Sequence, residues 1–422
     1  MSCKQKKHGE DIQLWRDKVG ISSFLEIMIP AGLILTIAIK LLFNKNGKAV
    51  AVYLALVLCP IFLFYFKEAF LLLKKSKLSK VVIGFVFIFS ITLFRGGGGL
   101  ELKKWFHFFE FCAGVMALPF ALKLLQKNAN LFRSTIRILF ICLAIAGIYS
   151  IISFSHTHNV SRIQYHIGDV HPILIGQRFG FLFILFLVFI AGEPKKSWIC
   201  FVVDCFLMVI FLLVVIYTYS RAAYIGVLIS AGAFLVFKGR DKYFYWLICS
   251  AISLSIISSK FFVFFFSKTE DVEIISKVVG RGSAGRFKIW SELVSRMHGL
   301  DFLIGRGYWA SDTTIEVFGP SGVHPHGIYM FSFYHGGLLL LLMHVFVVCF
   351  AFIIGIKSAK RGYIFLLLLF LFSFFPALTE GIYIFGLRGG ELRFPVILFW
   401  LLVGVAIFQE NENKAMENKY EL

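Results

Sequence analysis

The 422-residue chain is 59% hydrophobic and only 16% charged, with a mean hydropathy of +0.82. Soluble globular domains carry about 25% charged residues, so this composition excludes one and points to an all-α polytopic membrane protein; no ten-residue alternation suggests a β-barrel. The net charge of +19 reads as membrane topology, because lysines and arginines hold cytoplasmic loops in place, and no nucleic-acid partner or nucleotide-binding motif is indicated.

Residues 1–20 form a polar, basic cytoplasmic segment, too polar for a cleaved signal peptide, so the mature chain is expected to begin at Met1. A helix needs about 20 apolar residues to cross the hydrocarbon core. Stretches of that kind fall at 21–43, 49–66, 80–95, 105–126, 135–155, 172–192, 197–218, 221–237, 243–265, 327–355, 362–379 and 394–408. Twelve transmembrane helices are therefore expected, nine within 21–267 and three within 327–408, with a polar tail over 409–422. An even number puts both termini on one side. With the termini in the cytoplasm, more than half of the 43 lysines and arginines fall in inward segments, as the positive-inside rule requires. The long hydrophilic loop 268–326 then faces outward. ATP is absent from that side, so a substrate handled there must arrive already activated.

Seven of the eight cysteines lie inside apolar stretches, with Cys3 in the polar N-terminus. Buried cysteine behaves as a small hydrophobe, so neither a disulfide framework nor a metal cluster is expected. The long loop carries its own pattern. From Ser283 to His298, Phe287, Trp290, Leu293, Val294 and Met297 recur at three- and four-residue steps, which predicts an amphipathic helix against the bundle or the membrane face. Gly299 ends it. Between 281 and 306 the loop is biased toward cations, with Arg281, Arg286, Lys288, Arg296 and Arg306 against Glu292 and Asp301.

Polar residues with chemical capacity gather at the outer ends of the helices. Ser220 and Arg221 open the eighth stretch, where a helix N-terminus with an arginine makes an anion site; the alternative is an interfacial arginine reaching lipid phosphates. Arg286 begins the loop helix, either as a phosphate ligand suited by its planar fork or as a solvated charge. Arg178 lies about two turns inside the sixth stretch, and an intramembrane arginine is a functional candidate whose partner is a substrate phosphate or a carbonyl. Asp204, Glu110 and Glu26 are further charges within apolar stretches, which pair or line the bundle interior. His324 and His326, in Val323-His-Pro-His-Gly-Ile-Tyr329, close the long loop. A histidine there has the pKa for proton transfer near neutrality. The pair has a metal-ligand spacing, but no carboxylate or thiolate accompanies it, so no metal or other cofactor is expected. The outward loop 156–171 holds His156, His158, His166 and His171 and receives no role.

This layout resembles the O-antigen ligase family and its relatives, the O-antigen polymerases. The likeness covers the second half of the chain. It comprises Ser220-Arg221 opening a helix, Gly285-Arg286-Phe-Lys-Ile-Trp290, Phe302-Leu-Ile-Gly305-Arg-Gly307, and His326 followed by a glycine-bearing apolar helix. The family places Asn, Ser or Gln after the histidine, then nine residues, Gly, two residues, and Gly, Thr or Tyr. Here His326 and Gly337 fit, whereas Gly327 and Leu340 depart.

The resemblance implies a metal-independent glycosyltransferase of the bacterial inner membrane, with its site facing the periplasm. It would move a glycan from an undecaprenyl diphosphate donor to a sugar hydroxyl on a lipid A-core acceptor, among membrane lipids. His326 would be the catalytic base. Arg221, Arg286, His324, Arg178 and Arg306 would bind substrate, and inversion at the anomeric carbon is implied. The competing readings are a polymerase that joins repeat units and a polysaccharide flippase. A flippase calls for polar groups near mid-membrane, whereas the polar residues here gather at the outer edge. Attachment of glycan to protein calls for a larger exported part than this chain carries.

Overall fold

The computed structural model describes residues 21–43, 52–95, 102–156, 172–192, 197–218, 220–238, 242–266, 286–307, 327–380 and 394–420. Among the described residues the regular structure is entirely helical. The helices are α1 (Ile21–Phe43), α2 (Leu54–Phe64, its first turn a π-helix), α3 (Phe66–Lys75), α4 (Lys77–Arg95), α5 (Leu102–Lys127), α6 (Ala129–His156) and α7 (Pro172–Ala191). They continue with α8 (Trp198–Tyr217), α9 (Arg221–Lys238), α10 (Lys242–Phe266), α11 (Arg286–Ser295), α12 (Asp301–Ile304), α13 (Ile328–Lys360), α14 (Phe365–Glu380) and α15 (Phe394–Tyr420).

Among the described residues, helix falls within each of the twelve expected stretches, but not all of these helices are long and apolar enough to count as crossings. By length and hydropathy, six helices among the described residues qualify as membrane crossings: α4, α6, α7, α8, α9 and α13. The count is seven if α2 and α3 are taken as one span, and α1, α10 and α14 hold shorter apolar stretches. The chain is thus a multi-pass membrane protein by these measures.

Three elements differ from the sequence expectation. The stretch 49–66 ends in a break at Tyr65, whose φ of −129° leaves the helical region, and α3 turns away from α2 by 87°. α3 buries Ala69 and Leu73, exposes Phe66, Phe70 and Leu71, and carries Lys67, Lys74 and Lys75. That combination suits a helix lying in the membrane interface. α4 starts at Lys77 rather than 80. The polar stretch after residue 408 is no loose tail, because α15 runs on to Tyr420.

Packing follows membrane rules, with small residues where helices approach closely. Phe372 of α14 fills a slot between Gly180 of α7 and Gly226 of α9. A Cβ at Gly180 would lie 2.6 Å from the Phe372 ring, and one at Gly226 would lie 2.7 Å from the Phe372 carbonyl oxygen. Phenylalanines dominate the interior: Phe140, Phe186 and Phe211 form an edge-to-face cluster beside Phe179. The seven described cysteines are free thiols.

Polar contacts sort the helix ends into two groups. At one end of the bundle, Lys127 pairs with Glu26 at 2.6 Å, and Asp204 accepts from Tyr243 at 2.8 Å and pairs with Arg137 at 3.5 Å. There too, Glu410 accepts from the Ser76 hydroxyl at 2.6 Å and from the Lys77 and Leu78 amides at 2.9 and 3.0 Å. A carboxylate at the start of α4 caps its free N–H groups. Arg361 pairs with Glu417 at 2.7 Å, and Asn413 donates to Ser358 at 3.1 Å. These are ends that the charge pattern assigns to one common side. The other end holds Arg95, Gly176, Thr218, Ser220, Arg221, α11, α12 and the start of α13.

Candidate functional site

α11 and the segment after it rest on the first turns of α13. Ile289, Leu293 and Met297, spaced four apart, form a small core with Tyr334, flanked by Trp290, Met330 and Phe333. The buried face therefore differs from the expected one: Leu293 and Met297 are inside, Ile289 joins them, and Phe287 is 69% exposed.

The two glycine-bearing motifs of this region form a single contact. Gly337 takes φ 62°, ψ −163° and breaks the α13 backbone ladder. A helix accepts at each carbonyl from the amide four residues on, so the kink frees the Tyr334 and His335 carbonyls. The Arg306 amide donates to Tyr334 at 2.9 Å, and the Gly307 amide to His335 at 3.0 Å. His335, buried, donates through Nδ1 to the Gly307 carbonyl at 2.8 Å. A carbonyl only accepts, so the imidazole proton sits on Nδ1. The backbones touch so closely that a Cβ at Gly305 would collide with the His335 carbonyl, and one at Gly337 with Leu303. Gly305 also has a positive φ of 71°. From the side, Arg95 of α4 donates to the Gly305 carbonyl and pairs with Asp301 at 2.9 Å.

Arg306 turns its Nη1 to the Arg296 carbonyl, so at least that edge of its guanidinium holds the end of α11. Arg296 itself is held by Glu292 at 3.1 Å. Arg286 begins α11. His324 and His326 lie outside the described residues, but their neighbour Gly327 is fixed. It opens α13 at φ 149°, and a Cβ on it would lie 3.0 Å from the Leu378 carbonyl oxygen and 3.5 Å from the Trp290 ring. The chain therefore enters α13 between α11 and the end of α14.

Arg221 reaches the same level by helix register. Gly226 meets Phe372, and Ser230 donates to the Leu368 carbonyl at 3.2 Å, so α9 and α14 run antiparallel. Five residues back from Gly226, Arg221 stands level with Ala377 and Leu378. The start of α9 and the start of α13 are thus both neighbours of the same end of α14, each about a helix diameter (~10 Å) from it.

α7 joins from the inside. A Cβ at Gly176 would lie 2.6 Å from the Thr218 hydroxyl and 3.1 Å from Ser220, and Gly180 packs on Val227. α7 and α9 therefore run parallel, and Arg178, 2% exposed, lies about one turn deeper than Arg221. Beside it Gln177 is fully buried, with neither amide atom hydrogen-bonded.

Of the site residues expected from sequence, the structure brings the start of α9 (Arg221), the α7 turn bearing Arg178, α11 (begun by Arg286) and the Arg306 segment to one end of the bundle. Sequence reasoning missed Arg95, His335 and Gln177. Their signal was only a polar residue within or beside an apolar run; sequence alone does not join Arg95 to Asp301 and Gly305 over two hundred residues away, or His335 to Gly307 across the start of α13. No protein-family model matches the chain, and no curated protein matches it.

Proposed function

We propose that the chain is a membrane-embedded glycosyltransferase acting as an O-antigen ligase, with twelve transmembrane helices, both termini cytoplasmic and the 268–326 loop periplasmic. The support is one convergence: Arg221 at a helix start, the basic loop helix begun by Arg286, and the entry to α13 immediately after His326 meet around the end of α14. Cationic groups and a titratable residue at one membrane edge suit an anionic lipid carrier and a hydroxyl that must lose a proton.

In this reading the anomeric C1–O bond to undecaprenyl diphosphate breaks, and its electron pair leaves with the diphosphate. Arg221 and Arg286 meet that charge through bidentate bonds, with Arg178 and Arg306 beside them. The lipid A-core hydroxyl forms the new C1–O bond and gives its proton to His326, which His324 orients. General base catalysis of this kind contributes about 10²–10⁴-fold. No metal takes part.

The lipopolysaccharide banding pattern of a deletion strain, with the carrier-linked pool measured beside it, tests the assignment. The reading expects lipid A-core without glycan, intact polymer accumulating on the carrier, and restoration by the parent chain. Short, single-unit glycans on the core would instead identify a polymerase. Carrier-linked glycan trapped on the cytoplasmic face would identify a flippase.

A further inference from the structure

The opposite end of the bundle carries a cleft that the glycosyl-transfer reading does not use. α5, α6, α7, α14 and α15 enclose a cavity of about 300 Å³. Its polar lining residues are Gln126 at the end of α5, Arg133 one turn into α6, and Gln409 where the apolar part of α15 gives way to its polar part; Leu122, Ile136 and Val405 line it about one turn deeper. Gln409 is only 8% exposed, and its Oε1 has no hydrogen-bond partner. A buried amide oxygen without a donor is costly. Arg133 reaches the Gly192 carbonyl at the end of α7 only at 3.4 Å, so its guanidinium stands at the same rim.

We propose that this cleft binds the headgroup of an anionic glycerophospholipid. Basic pockets between transmembrane helices near the membrane edge take such headgroups. The phosphate lies against the Arg133 guanidinium. A headgroup hydroxyl donates to Gln409 Oε1, satisfying the orphaned acceptor. The acyl chains leave along the apolar wall toward Ile136 and Phe189. A charged phosphate together with a hydroxyl describes phosphatidylglycerol better than a zwitterionic lipid.

The full chain, purified in mild detergent, is incubated with equal phosphatidylglycerol and phosphatidylcholine, and retained lipid is counted by native mass spectrometry. The parent should retain phosphatidylglycerol in preference. Arg133→Gln should lower that retention about five-fold, the loss expected for one basic residue at an anionic surface. Gln409→Glu, nearly isosteric, should lower it at least as far by placing a carboxylate against the phosphate. Both variants should elute at the parent's position and bind phosphatidylcholine as the parent does. Equal retention of both lipids by the parent, parental retention by either variant, or displacement of the lipid by millimolar inorganic phosphate would overturn the proposal.

Discussion

Gly337→Ala should release the 297–307 segment from α13. Gly337 holds φ 62°, ψ −163°, a conformation that costs a residue with a side chain roughly 1–3 kcal/mol. Its Cβ would also collide with Leu303, so the two backbones must part. The bonds from Arg306 to Tyr334 at 2.9 Å and from Gly307 to His335 at 3.0 Å are then lost, at about 1 kcal/mol each. The sum, about 3–5 kcal/mol, corresponds to opening on the order of 10²–10⁴-fold more often. Hydrogen exchange of the full chain in nanodiscs reads this directly, because local opening governs amide protection. Peptides covering 297–307 should exchange faster by that factor, while those from α8 stay as in the parent. Gly232→Ala provides the control, since nothing lies within 4 Å of its Cβ position and alanine favours the helix. Unchanged exchange over 297–307 in Gly337→Ala would refute the lock.

The carboxyl of Glu410 gives a pH signature. Burial raises its pKa, but bonds from Lys414, Ser76 and the Leu78 and Lys77 amides outweigh that and hold it below the ordinary carboxylate value. A depressed folded value stabilises above the unfolded pKa, so the contribution is complete at neutral pH and fades below about pH 4.3 as the pH falls through the folded value. Thermal unfolding of the parent should therefore weaken on acidification in that range. Glu410→Ala should lower stability at pH 7 by about 1–2 kcal/mol, as for a lost helix cap, and show a flatter acid limb. Sidedness is read by single cysteines at exposed Ser295 and Ser134 in a cysteine-free background. An impermeant thiol reagent should label the first and spare the second in intact spheroplasts, and the reverse would invert the topology. Arg221→Ala and Arg286→Ala should each nearly abolish glycan transfer, with lysine rescuing poorly because it lacks the planar fork. Parental rates for both lysine variants at low carrier concentration would exclude a phosphate clamp.

Legibility tracked locality. The apolar stretches were readable because a span announces itself by length and hydropathy, and the loop helix because Leu293 and Met297 keep helical spacing. The bend at Tyr65 was not, since a single residue leaving helical φ/ψ changes no composition. The polar residues after 408 read as a tail because their partners, Ser76, Lys75 and Ser358, lie far away in sequence. Likewise Gly305, Gly307 and Gly337 stood out singly, but their backbone contact exists only once α13 kinks. The outward turn of Phe287 and the inward turn of Ile289 depend on where α11 meets Tyr334, which periodicity alone leaves open by one residue.

The central claim is tested most directly by reconstituting the purified chain with a synthetic undecaprenyl-diphosphate-linked glycan and lipid A-core. Product is measured across pH for the parent and for His326→Ala. The account predicts that the parent forms glycan-bearing lipid A-core and releases undecaprenyl diphosphate without added metal, with a rate that falls on the acid side as the histidine is protonated. It predicts that His326→Ala still binds carrier but transfers about 10²–10⁴-fold more slowly and lacks that acid limb. Transfer by His326→Ala at the parental rate with the acid limb unchanged, or no product from the folded parent, would contradict it.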